Sequence, residues 1–257
     1  MRRVWSLLRG SLTCVCVLLP CVAHAEERPF LFAQDATTTA PGTADAQYRF
    51  TIGVTTGGAV RPIGAAALGT PGSIHELGAE VGLLPRLSVR LYGLGELGLR
   101  SSDAYATAGT EVRVRVLGAA NGPLQLTLGA GALREFSGAI AVQGRAVASA
   151  TWGPLRLTAD ALFEHSFRMR ADPVDIIVTA GASVAVNAYL RLGVEYMGQD
   201  FEAEFDPAEL EGPRHMLGPT FAVRLASQHL QIVGGPSFGL TPLSPPVVFR
   251  LAVVGTL

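Results

Sequence analysis

The sequence predicts an all-β chain, a closed antiparallel up-and-down transmembrane β-barrel of about 12 strands. Three observations carry that expectation. Apolar and polar residues alternate with period two over most of the chain. Most of the alternating runs reach roughly 10 to 14 residues, against a usual ~5–6 in globular sheets and the ~9–11 that a tilted strand needs to cross a bilayer. Short and long connections alternate between the runs. Composition agrees, with 49% hydrophobic and 16% charged residues, 30 glycines and a mean hydropathy of +0.34.

The chain opens on a processing segment, residues 1–25. Arg2, Arg3 and Arg9 precede an apolar core from Leu12 to Val22, and Ala23-His24-Ala25 offers the small-x-small cleavage site of a signal peptide. That core is about half the ~20 residues of a membrane-spanning helix. Cys14, Cys16 and Cys21 all lie in it. Cleavage after Ala25 therefore leaves no disulfide, Cys-ligated metal or thiol nucleophile. Pro20 is not the small residue that a lipoprotein signal places before its Cys. Residues 26–47 (EERPFLFAQDATTTAPGTADAQ) have no period. They read as a flexible lead-in, with a solvated tail favoured over docking of Phe30 to Phe32.

The barrel domain follows at 48–257. Its strands are expected at roughly 47–56, 73–83, 87–99, 105–117, 124–135, 139–152, 155–167, 174–186, 189–200, 216–226, 229–240 and 246–257. Tight links built on Gly, Pro and Asn, such as the GP of Gly153-Pro154, alternate with longer ones. The longest acidic link carries Glu202, Glu204, Asp206, Glu209 and Glu211. In the fourth run, Val112, Val114 and Val116 face away from Glu111, Arg113 and Arg115. In the seventh, Leu155, Leu157 and Phe163 oppose Arg156, Asp160 and Glu164.

A soluble sandwich or lipocalin-like ligand binder would turn the charges to water, and a membrane barrel would turn the valines to lipid. Strand length and apolar total favour the membrane. An open sheet in lipid would leave backbone groups unsatisfied, so the sheet must close. Helical spans fail, because the best uncharged windows are broken by Gly, Pro or Asn.

Leader, even strand count, alternating links and a chain that ends inside its last strand together resemble Gram-negative outer-membrane β-barrels over about Tyr48 to Leu257. The resemblance is architectural and marks no subfamily. It implies an outer-membrane location, lipid outside, periplasmic turns opposite longer extracellular loops, and delivery by the assembly machinery through the C-terminal strand. That strand usually ends on an aromatic residue. Here it ends on Leu257, with Phe249 eight residues earlier on the same face. Trp152 and Tyr189 at one rim, and Phe136, Phe163, Phe167 and Phe201 near the other, make a thin aromatic girdle.

The expected lumen-lining set begins with Arg49, Glu76, Glu80, Arg90 and Glu96. It continues with Glu111, Arg113, Arg115, Arg145, Arg156 and Asp160, and ends with Glu164, Arg191, Glu195, Arg224 and Arg250. Arg145 is expected to pair with Asp160 or Glu164 across the Gly153-Pro154 turn. Two functions fit such a lumen. One is a narrow pore for a small solute or ion, in which Arg113→Glu should change ion selectivity. The other is a non-conducting structural or display barrel, plugged by Arg–carboxylate ladders.

No catalytic constellation is expected. His75, His165, His215 and His229 are scattered, and no metal-ligand spacing occurs. His165 and the adjacent Ser166 point to opposite faces, so they cannot exchange a proton. No cofactor is implied. The chain has no Lys, and loss of the three leader arginines takes its formal charge from −1 to −4. Nucleic acid is therefore a poor partner.

Overall fold

The computed structural model describes residues 29–54, 72–98, 104–120, 122–135, 138, 140–167, 174–200, 213–225 and 229–257. The leader and the acidic link of Glu202 to Glu211 lie outside them. Twelve strands form: β1 (Ala44–Val54), β2 (Gly72–Leu84), β3 (Leu87–Gly98), β4 (Ala104–Leu117), β5 (Leu124–Glu135) and β6 (Ile140–Trp152). They continue as β7 (Leu155–Ser166), β8 (Val174–Ala185), β9 (Leu190–Gln199), β10 (Arg214–Arg224), β11 (Leu230–Gly239) and β12 (Val247–Thr256). Each strand pairs antiparallel with its sequence neighbours, and β1 pairs with β12 from Asp45↔Thr256 to Val54↔Val247 to close the barrel. The turn end carries the tight links and both barrel termini; the opposite rim is called the loop end below. Gly153 supplies the positive φ (56°) that the tight turn between β6 and β7 requires.

The alternation resolves inside out. Val112, Val114 and Val116 are 41–44% exposed on the exterior, whereas Glu111, Arg113 and Arg115 are at most 4% exposed within. Leu77, Leu91, Leu128, Leu192 and Phe249 extend the exposed apolar exterior around the wall. The soluble alternative required the reverse arrangement and is overturned. Arg113, Glu80, Glu164 and Glu195 are among the largest side chains with essentially no exposure. Charged groups tolerate such burial only when paired or hydrogen-bonded, which predicts a dense polar network inside.

One seam is thin. The β10–β11 ladder pairs Leu217 with Phe238 and resumes at Phe221↔Gly234, so its register sets Pro219 opposite Pro236, and neither has an N–H to donate. On their other sides both prolines stay in register, Pro219 opposite Val194 of β9 and Pro236 opposite Phe249 of β12.

Candidate functional site: a self-plugged lumen

The inward face of β1–β7 is built from long charged side chains. Arg49 of β1 reaches Glu76 of β2 at 3.7 Å. Glu76 also accepts from Arg90 of β3 in a short contact, and Arg90 approaches Glu111 of β4 at 4.0 Å. Glu111 meets Arg145 of β6 at 3.4 Å, and Arg145 pairs with Asp160 of β7 at 2.6 Å. The row thus alternates in sign through six residues with no net charge. It steps over β5 because Gly129 stands between Glu111 and Arg145, and a Cβ there would strike the Glu111 carboxylate. The pairing of Arg145 with Asp160 is as the sequence predicts. Glu164 instead accepts from the Gln143 amide at 2.7 Å.

The inward face of β8–β12 is different. It sets small residues, Gly181, Ser183, Gly193, Gly218, Thr220, Ala222, Gly235 and Ala252, between long ones such as Arg191, Glu195, Met197, Arg214, Met216 and Arg250. Such a wall does not fill its own half of the lumen, and the chain fills it with the segment that precedes β1. Residues expected as a solvated lead-in are inside: every described residue from Pro29 to Thr39 is buried, and β1 begins at Ala44 instead of 47. A segment without period two or 3.6 carries no face to read, and its burial is decided by partners on other strands, from 41 residues away at Glu80 to 164 at Glu195.

Those partners are specific. The Glu195 carboxylate accepts three consecutive backbone N–H groups, from Leu31 (3.0 Å), Phe32 (2.5 Å) and Ala33 (2.6 Å). Asp160 accepts from Gln34 N–H at 3.2 Å, and Ser149 Oγ from Ala36 N–H at 3.2 Å. Arg113 donates to the Asp35 carbonyl while holding Glu80 at 2.7 Å, and Arg156 grips the Asp35 carboxylate. At the turn-end rim Thr39 reaches Glu80 and Asp45. Gly82 passes so close beneath Thr39 and Ala40 that a Cβ would meet their backbone. Side chains fill the rest. Leu31 packs on Ala222, Val233 and Ala252, the Phe30 ring lies over Gly181, and Arg250 sits over the Phe32 ring at 3.5 Å.

Above this plug the lumen narrows to a cavity of about 70 Å³, room for roughly five waters at 10–15 Å³ each. Its lining is layered along the barrel axis: a polar level includes Arg49, Glu76, Tyr92, Arg145, Asp160 and Arg250, and an apolar level of Ile74, Leu94, Leu162, Ile177 and Met197 lies one inward position closer to the loop end. These inward apolar residues belong to a cluster completed by Met216 and Val248. Sequence reading missed this cluster. Its signal was present, since Ile74 shares the inward parity of Glu76 and Glu80, and Leu162 that of Asp160 and Glu164.

The sixteen expected lumen residues all have inward parity. Glu80, Arg90, Glu111, Arg113, Arg115, Asp160, Glu164, Arg191, Glu195 and Arg250 are buried. Arg49, Glu76, Arg145 and Arg156 are mostly covered. Glu96 near the loop end and Arg224 near the turn end are half-buried at the rims. Most of the set does not face an open channel; it is spent on the row of ion pairs and on the plug. Of the histidines, His75 and His215 point outward and each shares a hydrogen bond with a tyrosine, Tyr48 at 2.7 Å and Tyr196 at 2.5 Å. Among the rim aromatics Trp152, Tyr189, Phe163 and Phe167 are exposed on the exterior, and Phe136 and Phe201 lie outside the described residues.

No family model matches the chain, and no curated protein matches it in sequence. Solved structures do match in shape. The KdgM porin in complex with disordered oligogalacturonate superposes with a TM-score of 0.55 at 6% identity, covering 83% of this chain and 98% of that one. An outer membrane channel from Pseudomonas putida F1 superposes with a TM-score of 0.57 at 12% identity, covering 90% of this chain and all of that one (100%). With its twelve strands, single closed sheet and outward apolar face, the chain has the fold of the outer-membrane β-barrel porins and channels.

Proposed function

We propose that this protein is an outer-membrane barrel whose narrow lumen is held shut by its own N-terminal segment and passes small solutes or ions when that segment yields. The membrane location rests on the exterior. A continuous apolar surface of this extent has no place in water, and a closed sheet satisfies the backbone in lipid. The leader fits export with cleavage after Ala25, and β12 fits delivery by the assembly machinery. The channel reading leans on the shared fold and on a lumen lined by paired charges. Gating rests on a single observation, the burial of residues 29–39 across the lumen.

A plug tied by hydrogen bonds and ion pairs, with no covalent link in the mature chain, is displaceable in a way that wall side chains are not. The rival is a permanently closed structural barrel, favoured by the row from Arg49 to Asp160, whose paired charges belong to the wall and not to the plug. Planar-bilayer recording separates the two. The mature chain should be nearly silent, and a chain lacking residues 26–39 should show discrete conductance steps. Silence in both would leave the structural barrel standing, and large steps from the intact chain would sink the gate. Arg113→Glu acts in this setting on the plug before it acts on any ion, because Arg113 holds Asp35 and Glu80.

A further inference from the structure

We propose that the cavity above the plug is a binding site for a small monocarboxylate with an apolar body, its carboxylate on Arg250 and its body against Ile74, Leu162, Ile177 and Met197. This goes beyond the gated channel and does not require it, since a barrel that never conducts can still bind.

The central observation is the state of Arg250. Its side chain lies in the cavity wall, and the residue is 8% exposed. Nε donates to Thr51 Oγ1 at 3.0 Å, and the guanidinium covers the Phe32 ring. Nη1 has no hydrogen-bond partner, and among the described residues no carboxylate oxygen lies within 4.0 Å of its guanidinium nitrogens. Glu195 and Glu76 act on Arg250 through space, but the oxygens of Glu195 are committed to three plug N–H groups and Glu76 is held by Arg49 and Arg90. The other mid-lumen arginines, Arg49, Arg90 and Arg145, all have acids. A buried guanidinium left with free donors is a standing demand for an anion.

The apolar level beside Arg250 chooses the kind of anion. A phosphate or a sugar acid would have to lay polar groups on Leu162, Ile177 and Met197 and leave them unsatisfied. An alkyl or aryl body would cover the same residues favourably. Size sets a limit too. Five displaced waters at ~30 Å³ each free about 150 Å³, enough for roughly six or seven carbons. The polar–apolar division of one small cavity, with the unpaired arginine on its polar side, points to one class of ligand.

Three probes test this on the full mature barrel in detergent, by calorimetric titration. Benzoate carries both elements, benzyl alcohol has the body without the charge, and acetate has the charge without the body. Benzoate should bind saturably, and both partial probes at least tenfold more weakly. Arg250→Gln should weaken benzoate at least tenfold, and Ile177→Trp, which fills the apolar side and leaves Arg250 in place, should abolish it. The second variant holds the test if the first fails to fold, which heat-modifiable gel migration reports. Benzyl alcohol matching benzoate, unchanged benzoate binding in either folded variant, or no saturable benzoate binding at all would each overturn the site. Conductance is a separate readout, so loss of this site and loss of the gate cannot be mistaken for each other.

Discussion

The two halves of the barrel wall solve the same volume problem in opposite ways. On β1–β7 the strands supply their own filling, with arginines and acids meeting across adjacent strands. On β8–β12 small residues such as Gly181, Ser183, Thr220 and Ala222 interrupt the long ones, and Phe30 and Leu31 of the chain's own N-terminal segment pack into the space they leave. A barrel of about eight strands is filled by side chains and one of 16–18 holds a channel. At twelve, half of each solution coexists. The difference teaches where movement can occur. Releasing the row would unpair six charges in the wall, whereas releasing the plug leaves that row paired and frees mainly Arg156 and Glu195.

If that division is right, damage to the first half should register as stability and damage to the second as conductance. The largest stability effect is expected from Arg145→Ala, which strands Glu111 and Asp160 without their shared partner. Loss of one member of a buried pair costs about 3–5 kcal/mol. Denaturant unfolding of the refolded barrel should show it, while bilayer recordings stay silent. Conductance steps from this variant, with no loss of stability, would erase the distinction. Gly129→Val should act on the same row, by wedging a side chain between Glu111 and Arg145. A loss of about 2–3 kcal/mol is expected from overpacking and a weakened pair, again read by unfolding.

Glu195→Gln strikes the other half. The charge-assisted acceptor of three plug N–H groups becomes a neutral amide, a loss of about 1–2 kcal/mol. Since 1.4 kcal/mol is tenfold in an equilibrium, the open fraction should rise roughly tenfold with the unfolding midpoint little changed. An unfolding midpoint that falls as far as that of Arg145→Ala would show that plug and wall are one unit. The smallest effect belongs to Gly181→Val, whose side chain takes the place of the Phe30 ring. Proteolysis near Phe30 should become modestly faster, and protection equal to that of the unaltered chain would mean that the ring repacks elsewhere.

Much of this was legible in the sequence, for a physical reason. A strand that faces lipid on one side and a polar lumen on the other must alternate, so period two located all twelve strands to within three residues at each boundary. It also put Glu111, Arg113 and Arg115 inside and their valine neighbours outside. The tight turn also brought Arg145 within reach of Asp160 or Glu164, and the register of β6 on β7 decides for Asp160. What could not be read was whatever depends on distance across the lumen. Phe30 to Thr39 have no periodicity, and their partners on β2, β4, β6, β7 and β9 become neighbours only when the sheet closes. The indirect trace was the run of small inward residues at Gly181, Ser183, Gly218, Ala222 and Gly235, a shortage of volume that some other part of the chain had to supply. Inward apolar residues such as Met197 and Met216 were hidden likewise, because alternation says which way a side chain points and not what it will meet.

Closure of the ring also imposes an order in time. The pair Asp45↔Thr256 joins nearly the two ends of the barrel domain, so the ring is completed only after the last strand exists, and such long-range pairings are slow to form. The plug's anchors are spread over β2, β4, β6, β7 and β9, so they surround one segment only once the sheet has curved round it. Docking of residues 29–39 is expected to follow that curvature, and under the gated-channel proposal each new copy would pass through an interval with its lumen unsealed.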